Sequence, residues 1–289
     1  MTFCLCTLKP TKPITRFMGV LGLLLLPVIA LAQENTTAIL KQSSNSTSGV
    51  LVFDENTFKE IRQAAEKGDA KSQYMLGVAY AYGRSVKRND ARAIAWYRKA
   101  AEQGFAEAQN SLGRMYSESQ GVPHDFAQGR RWYLAAAEQN YAPAQDNLGM
   151  LYELGKGVSR DYIEAFMWYK KAAEQGYPRA QYHLGMMYLR GWGVPQDMTR
   201  ALVFIRKAAM HGNAEAMNDL GMMYENGMGI ATDAKEAFAW YEKSAHAGEY
   251  KAMERLWRAY EQGDLGVKKD ASMSHYWQKQ TNEARLNLQ

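Results

Sequence analysis

Five histidines, His124, His183, His211, His246 and His275, are the side chains best suited to proton transfer or metal binding in this 289-residue chain. A metal site on one helix needs two of them four residues apart, and no such pair occurs. A nucleophile would need an activating frame, yet neither Ser-x-x-Lys nor Gly-x-Ser-x-Gly is present. The two cysteines, Cys4 and Cys6, sit in the extreme N-terminal stretch. The residue types therefore point away from catalysis, and neither a cofactor nor a metal is expected.

That N-terminal stretch has an organisation of its own. Lys9, Lys12 and Arg16 precede the apolar run FMGVLGLLLLPVIAL, which ends in Ala30-Leu31-Ala32 before Gln33. A basic region, a short apolar run and a small-residue cleavage site define a secretory signal peptide. The run has 15 residues and contains Pro27, short of the ~20 apolar residues that span a bilayer. Residues 1–32 are thus expected to be cleaved, leaving an exported chain, periplasmic or secreted, with no membrane span. That chain has no cysteine, so packing alone must stabilise it. Cleavage removes three of the 35 Lys/Arg and none of the 30 Asp/Glu, so the net charge falls from +5 to +2. Such a balance gives no footprint for nucleic acid. Residues 33–53 are rich in Ser, Thr and Asn, hold the Asn-x-Thr sites Asn35 and Asn45, and are expected to be a flexible segment.

From residue 54 onward a fixed period organises the chain. Leu-Gly recurs at Leu76-Gly77, Leu112-Gly113, Leu148-Gly149, Leu184-Gly185 and Leu220-Gly221, always 36 residues apart. Trp96-Tyr97, Trp132-Tyr133, Trp168-Tyr169 and Trp240-Tyr241 keep the same step, with Phe204-Ile205 in the fourth place. A sustained period of this length signals a repeat architecture. Each unit reads as two helices. In the second copy the first helix is expected from about Ala106 to Glu118, since Ala106, Gln109, Leu112, Gly113 and Tyr116 recur at helical spacings. Asp125 is a candidate N-cap for the second helix, which stops at Asn140 where neighbouring copies carry Gly104 and Gly176. Asp161 with Glu164, and Asp233 with Glu236, read as capping boxes. The pattern gives a lone helix at 54–67 and then six helix pairs, with the repeat region over 54–289.

A glycine inside a helix costs about 1 kcal/mol against alanine. Its recurrence after leucine implies that the second helix approaches too closely for a Cβ. The small pairs Ala100-Ala101, Ala136-Ala137 and Ala172-Ala173 fit that contact, and the Trp and Tyr rows read as aromatic core. Three departures stand out. The first loop, GRSVKRND, lacks the Gly-x-Gly pair; the fourth second helix has Phe204-Ile205; the last unit carries Trp257 for the helix glycine. The last unit reads as a cap.

The pattern Ala-x-x-Leu-Gly-x-x-Tyr, Gly-x-Gly-Val, Asp, Trp-Tyr and Lys-Ala-Ala-Glu-Gln-Gly resembles the SEL-one-like repeat family, most clearly in LYELGKGVSRDYIEAFMWYKKAAEQG at 151–176 and MYLRGWGVPQD at 187–197. The resemblance implies an all-α, right-handed, tetratricopeptide-like α-solenoid of about six 36-residue helix-turn-helix repeats. It implies a protein-interaction scaffold whose first helices line the concave face. The implied partner is another protein: an envelope component, a sensor domain or, for an immunity protein, a secreted toxin such as a phospholipase effector. Cysteine-rich relatives are associated with β-lactams, but their paired cysteines are missing here. Recognition would use positions that vary between copies. Those on one face of the first helices are Tyr74, Asn110, Asp146, Tyr182 and Asn218; His183 beside them; and Arg114, Met150, Met186 and Met222 one turn on. Met suits adaptable contacts, and Tyr and Arg are favoured anchors.

Overall fold

The computed structural model describes residues 54–118 and 120–286. The expected signal peptide, the segment 33–53 and the two Asn-x-Thr sites lie outside the described residues. The chain divides into two units, Met1–Thr57 and Phe58–Gln289, and only residues 54–57 of the first are described.

Thirteen α-helices and no strand occur among the described residues. Helix α1 (Glu55–Glu66) stands alone. Six pairs follow: α2 (Ala70–Tyr82) with α3 (Asp90–Glu102), α4 (Ala106–Ser117) with α5 (Phe126–Glu138), α6 (Ala142–Leu154) with α7 (Tyr162–Glu174), α8 (Pro178–Arg190) with α9 (Met198–Met210), α10 (Ala214–Asn226) with α11 (Ala234–His246), and α12 (Tyr250–Gln262) with α13 (Ala271–Leu286). Every helix pair in substantial contact is adjacent in sequence, the arrangement that defines a solenoid.

The local chemistry places each boundary. Asp125 caps α5 by accepting from the Gln128 amide at 2.9 Å, and Asp161 caps α7 by accepting from Ile163 and Glu164 at 2.9 and 3.1 Å. The reciprocal half of the expected capping box is absent. The Asp161 amide donates instead to the Tyr152 carbonyl at 3.0 Å, and the Asp233 amide to that of Tyr224 at 3.0 Å. Asn89, Asp125, Asp197 and Asp270 repeat this bond to Tyr80, Tyr116, Tyr188 and Tyr260. The cap residue thus ties the start of each second helix to the end of its own first helix. Glu164 and Glu236 are left exposed. At the other end of α5, Asn140 takes the left-handed conformation, with φ of 62°, as its glycine counterparts do.

The helix glycines are explained by a ring. A Cβ on Gly149 would lie 2.8 Å from Cδ1 of Tyr169, and one on Gly77 or Gly113 would lie 2.6 or 2.7 Å from Tyr97 or Tyr133. The close approach is therefore as expected, but its partner is the Tyr of Trp-Tyr rather than the alanine pair. In the fourth repeat Ile205 takes the Tyr position, and its Cγ1 would lie 2.7 Å from a Cβ on Gly185.

Core clusters form between repeats. Ala93, Ile94, Tyr97, Ala100 and Ala101 of α3 bury themselves with Ala108, Leu112, Met115 and Tyr116 of α4. The same alternation holds for α5 with α6, α7 with α8, and α9 with α10. No repeat has a complete core of its own, so each needs its neighbour. The aromatic rows separate here. The Tyr row is buried, whereas Trp96, Trp132, Trp168 and Trp240 are half-buried. Three of them lie under a lysine one turn on, with Nζ 4.2, 4.0 and 4.0 Å from the ring centre for Lys99, Lys171 and Lys243.

A row of buried glutamines runs through the same junctions. Gln73, Gln109, Gln145 and Gln181 are between 2% and 6% exposed. The first three donate to Ala65, Ala101 and Ala137 carbonyls at 3.2, 3.1 and 3.2 Å. Their Oε1 atoms accept at 2.7 Å from Gln103, Gln139 and Gln175, the Gln of Ala-Ala-Glu-Gln. For Gln181 the partner is His211 Nδ1, at 3.0 Å. The fifth repeat has Met217 and Ala247 at these two places.

Candidate interaction face

Half-buried side chains dominate the variable face of the first helices. Tyr74 sits with its ring centre 5.7 Å from Tyr97 and 5.4 Å from Phe105. Arg114 reaches back one repeat, donating from Nη2 to the Tyr82 hydroxyl at 2.8 Å, and lies 3.7 Å from Glu118. Asn110 accepts from Asn147 Nδ2 at 2.9 Å.

The centre of the face is a charged cluster. The Asp146 side chain is 0% exposed; its carboxylate accepts from Arg179 Nε and lies 2.8 Å from His183 Nδ1. Arg179 also donates to the Asn147 side-chain oxygen. His183 rests on Tyr169, ring centres 4.6 Å apart, and the Tyr169 hydroxyl donates to Glu153 at 2.7 Å. A His–Asp contact exists, but the nearby hydroxyl is committed elsewhere. Partial burial opposes the charge on Arg179, and Asp146 more than compensates, raising its pKa above the ordinary guanidinium value.

Further along, the Tyr182 hydroxyl donates to Asp219 at 2.9 Å and Asn218 Nδ2 donates to the other Asp219 oxygen at 3.1 Å. Burial raises the Asp219 carboxyl above the usual carboxylate value, against the lowering effect of those two hydrogen bonds. Burial, and then the Asp219 charge, raise the Tyr182 phenol. Near the last pair, Arg255 joins Glu225 and Asp264 at 2.6 and 3.0 Å.

The structure therefore brings Asn110, Asp146, His183, Tyr182 and Asn218 into networks that cross repeat boundaries. Asp146 is corrected from a surface contact to an internal anchor, because its buried carboxylate is held by the Arg179 guanidinium and by His183 Nδ1. The methionine row is corrected in part: Met150, Met186 and Met222 pack on the junction clusters of the following repeats. Each stays half-buried, so one side faces outward. Arg179, 42% exposed, is the residue sequence reasoning missed. Its signal was position, four residues before His183 and so on the same helical face. Among the described residues no three His, Cys, Asp or Glu side chains converge as a metal set, and no helix is long and apolar enough to cross a membrane.

Six helix pairs at a fixed step, with their cores shared between neighbours, make this an α-solenoid of paired-helix repeats. The chain belongs to the Sel1 repeat family, whose repeat it matches at residues 70–105, 106–141, 142–177, 178–213, 214–249 and 251–280. Sel1 repeats mediate protein–protein interaction. The crystal structure of a Sel1 repeat protein from Oxalobacter formigenes is similar, with 32% identity and a TM-score of 0.71, over 88% of this chain and 95% of that one. So is c5321, a protective antigen of uropathogenic Escherichia coli with an SLR fold, at 35% identity and a TM-score of 0.65, over 90% of this chain and 57% of that one. The immunity protein Pa5087 of Pseudomonas aeruginosa shares the fold at 21% identity and a TM-score of 0.53, over 74% of this chain and 81% of that one. No curated protein matches.

Proposed function

We propose that the chain is an exported, non-enzymatic scaffold that holds one partner protein along the first-helix face of α4, α6, α8 and α10. The observation that carries this reading is the division of labour within the repeat. Leu-Gly, the buried Tyr row and the paired alanines recur and supply the packing, while Arg179, Tyr182 and His183 stand at positions that differ from copy to copy, Arg114 gives way to Met150, Met186 and Met222 in the next three copies, and all of these stay half-exposed. Their geometry is held by bonds to neighbouring repeats, so the face is pre-organised and little side-chain entropy is lost on binding. Aromatic, Met and Arg side chains are the types that carry interface energy. An envelope component or sensor domain fits this face; a toxin captured by an immunity protein is the alternative occupant.

Site-specific photocrosslinking in the producing cell tests it. Crosslinkers replacing Tyr182 and Met186 should capture one defined protein, whereas those replacing Ile163 and Val203 on the second helices should not. Capture from Ile163 and Val203 alone would move the interface to the second helices. Export is read separately, by the mass of the mature protein, which should begin near Gln33.

A further inference from the structure

The first repeat carries the highest net charge of the six, followed by the fourth at +4 (Arg179, Arg190, Arg200, Arg206 and Lys207 against Asp197). Between residues 70 and 105 there are seven Lys/Arg (Lys71, Arg84, Lys87, Arg88, Arg92, Arg98, Lys99) against Asp90 and Glu102, a net charge of +5, although the whole exported chain is expected to carry only +2. Four of the seven fall on the loop GRSVKRND and the first turn after it (Arg84, Lys87, Arg88, Arg92), where the loop lacks the Gly-x-Gly pair. There the structure forms a cleft of about 440 Å³ lined by Tyr80, Val86, Lys87, Arg88, Asn89 and Arg92.

The lining is arranged rather than merely basic. Arg92 lies over the Tyr80 ring, 5.5 Å from its centre, with Nη1 3.4 Å from the Tyr80 hydroxyl. Arg88 is braced by a two-pronged pair to Asp90, both contacts at 3.0 Å. Asn89 caps α3 by accepting from the Arg92 amide at 2.9 Å, which fixes the turn from which the cations project. Lys87 is exposed and forms no ion pair among the described residues. One carboxylate, Asp90, thus faces three cations, leaving a surplus of two positive charges at the mouth of the cleft. The equivalents of Lys87, Arg88 and Arg92 are Pro123, His124 and Gln128 in the second repeat, and Ser159, Arg160 and Glu164 in the third. The last repeat has Lys268 and Lys269 at the first two of these places but Met273 at the third, so the full set of three belongs to this loop and is not a requirement of the repeat.

We propose that this cleft is a second binding site, and that it takes an acidic peptide segment, one Glu or Asp side chain entering between Lys87 and Arg92. The shape decides between sources of negative charge. A nucleic-acid backbone or a bilayer presents an extended array of phosphates and needs an extended basic face. Here the cations line one local cleft on a single loop, with Tyr80 and Val86 as apolar walls for the methylenes of an acidic residue. The site lies on the loop side of the first repeat and stands whether or not the first-helix face of α4 to α10 binds a partner.

The test uses the full exported chain and hexaglutamate labelled for fluorescence anisotropy. The variant combines Lys87→Ser with Arg92→Gln, residues that the third and second repeats carry at these positions, so folding should survive; a melting curve confirms it. Hexaglutamate should bind the parent, more weakly as salt rises, and at least tenfold more weakly to the variant. A control with Arg200→Gln and Lys207→Gln removes two charges from the fourth repeat, including the equivalent Arg–Tyr stack (Arg200 over Tyr188, 5.5 Å), and should bind as the parent does. Equal losses in variant and control would show general charge attraction and overturn the site. So would binding of inorganic phosphate or of phosphatidylglycerol vesicles that matches hexaglutamate and falls equally in the variant. Should the variant unfold, Lys87→Gln alone replaces it, with a loss of affinity again expected and an unchanged affinity overturning the proposal.

Discussion

The glutamine row offers a test in which the chain supplies its own control. Gln145 is 2% exposed, and its Oε1 accepts from Gln175 Nε2 at 2.7 Å. Gln175→Ala removes that donor and leaves a buried oxygen without this partner, at a cost of about 1–3 kcal/mol. Gln145→Met removes the acceptor instead. Gln175 is exposed, so its amide turns to water, and the Ala137 carbonyl keeps the Asn140 amide at 3.0 Å; the expected cost is only ~0.5–1.5 kcal/mol. The double variant reproduces Met217 and Ala247 of the fifth repeat, where an apolar pair fills the junction. It should cost no more than Gln145→Met alone, giving a coupling of about 1 kcal/mol or more. Thermal and urea melts of the four proteins measure this, at roughly 2–4 °C per kcal/mol for a domain of this size. If the two single costs add to within ~0.5 kcal/mol, the buried oxygen was never dependent on its neighbour, and the row is incidental to stability.

Three further outcomes follow from the geometry. Gly149→Ala places a Cβ 2.8 Å from the Tyr169 ring; overpacking of about 1–3 kcal/mol should exceed the ~1 kcal/mol helix-propensity gain, so the melting midpoint should fall, and a rise would mean the ring swings away freely. Asp219 has a folded-state pKa raised by burial, so the unfolded chain ionises first and the carboxyl costs stability as pH rises from its ordinary value through its folded one; Asp219→Asn should stabilise the protein at neutral pH and make no difference in acid, as melts across pH would show. Asp146→Ala leaves Arg179 and His183 without their shared acceptor; because Arg179 is 42% exposed and can rehydrate, a loss of about 1–3 kcal/mol is expected rather than the ~3–5 kcal/mol of a fully buried pair, and an unchanged midpoint would contradict the cluster's role.

What was legible in the sequence is what recurs at one spacing. Leu148-Gly149 announced a close helix contact because a helix glycine is costly without one. Asp125 announced a helix start because a cap explains an Asp at that place in five copies and Asn89 in the first. The glutamines were visible as a helical row, but their bonding was not, since Gln139 meets Gln109 from 30 residues away through a junction that exists only once two repeats stack. The same limit hid Arg179. Its contact with Asp146 spans 33 residues, and no local pattern marks a long side chain that crosses from one repeat to the one before.

Variation between copies is therefore an ambiguous sign, and the structure shows how to divide it. Where Ile205 replaces the buried Tyr, Leu189 stands at the place of Glu153, the acceptor for Tyr169, and Leu189 packs on the cluster that holds Ile205. Where Met217 replaces the buried Gln, Ala247 replaces its donor. In these two repeats both members of the pair change together to apolar residues, because an unmatched buried polar group is costly, whereas the first repeat keeps Tyr97 with Ala81 at the place of Glu153. Such variation records packing. Tyr182 with Asp219 and Asp146 with Arg179 belong partly to this class, which is why the first-helix face holds its shape. Variation without a matching change across the junction is of the other kind. Lys87 belongs to it, exposed and making no ion pair among the described residues, in the loop whose departure from the repeat no neighbour requires.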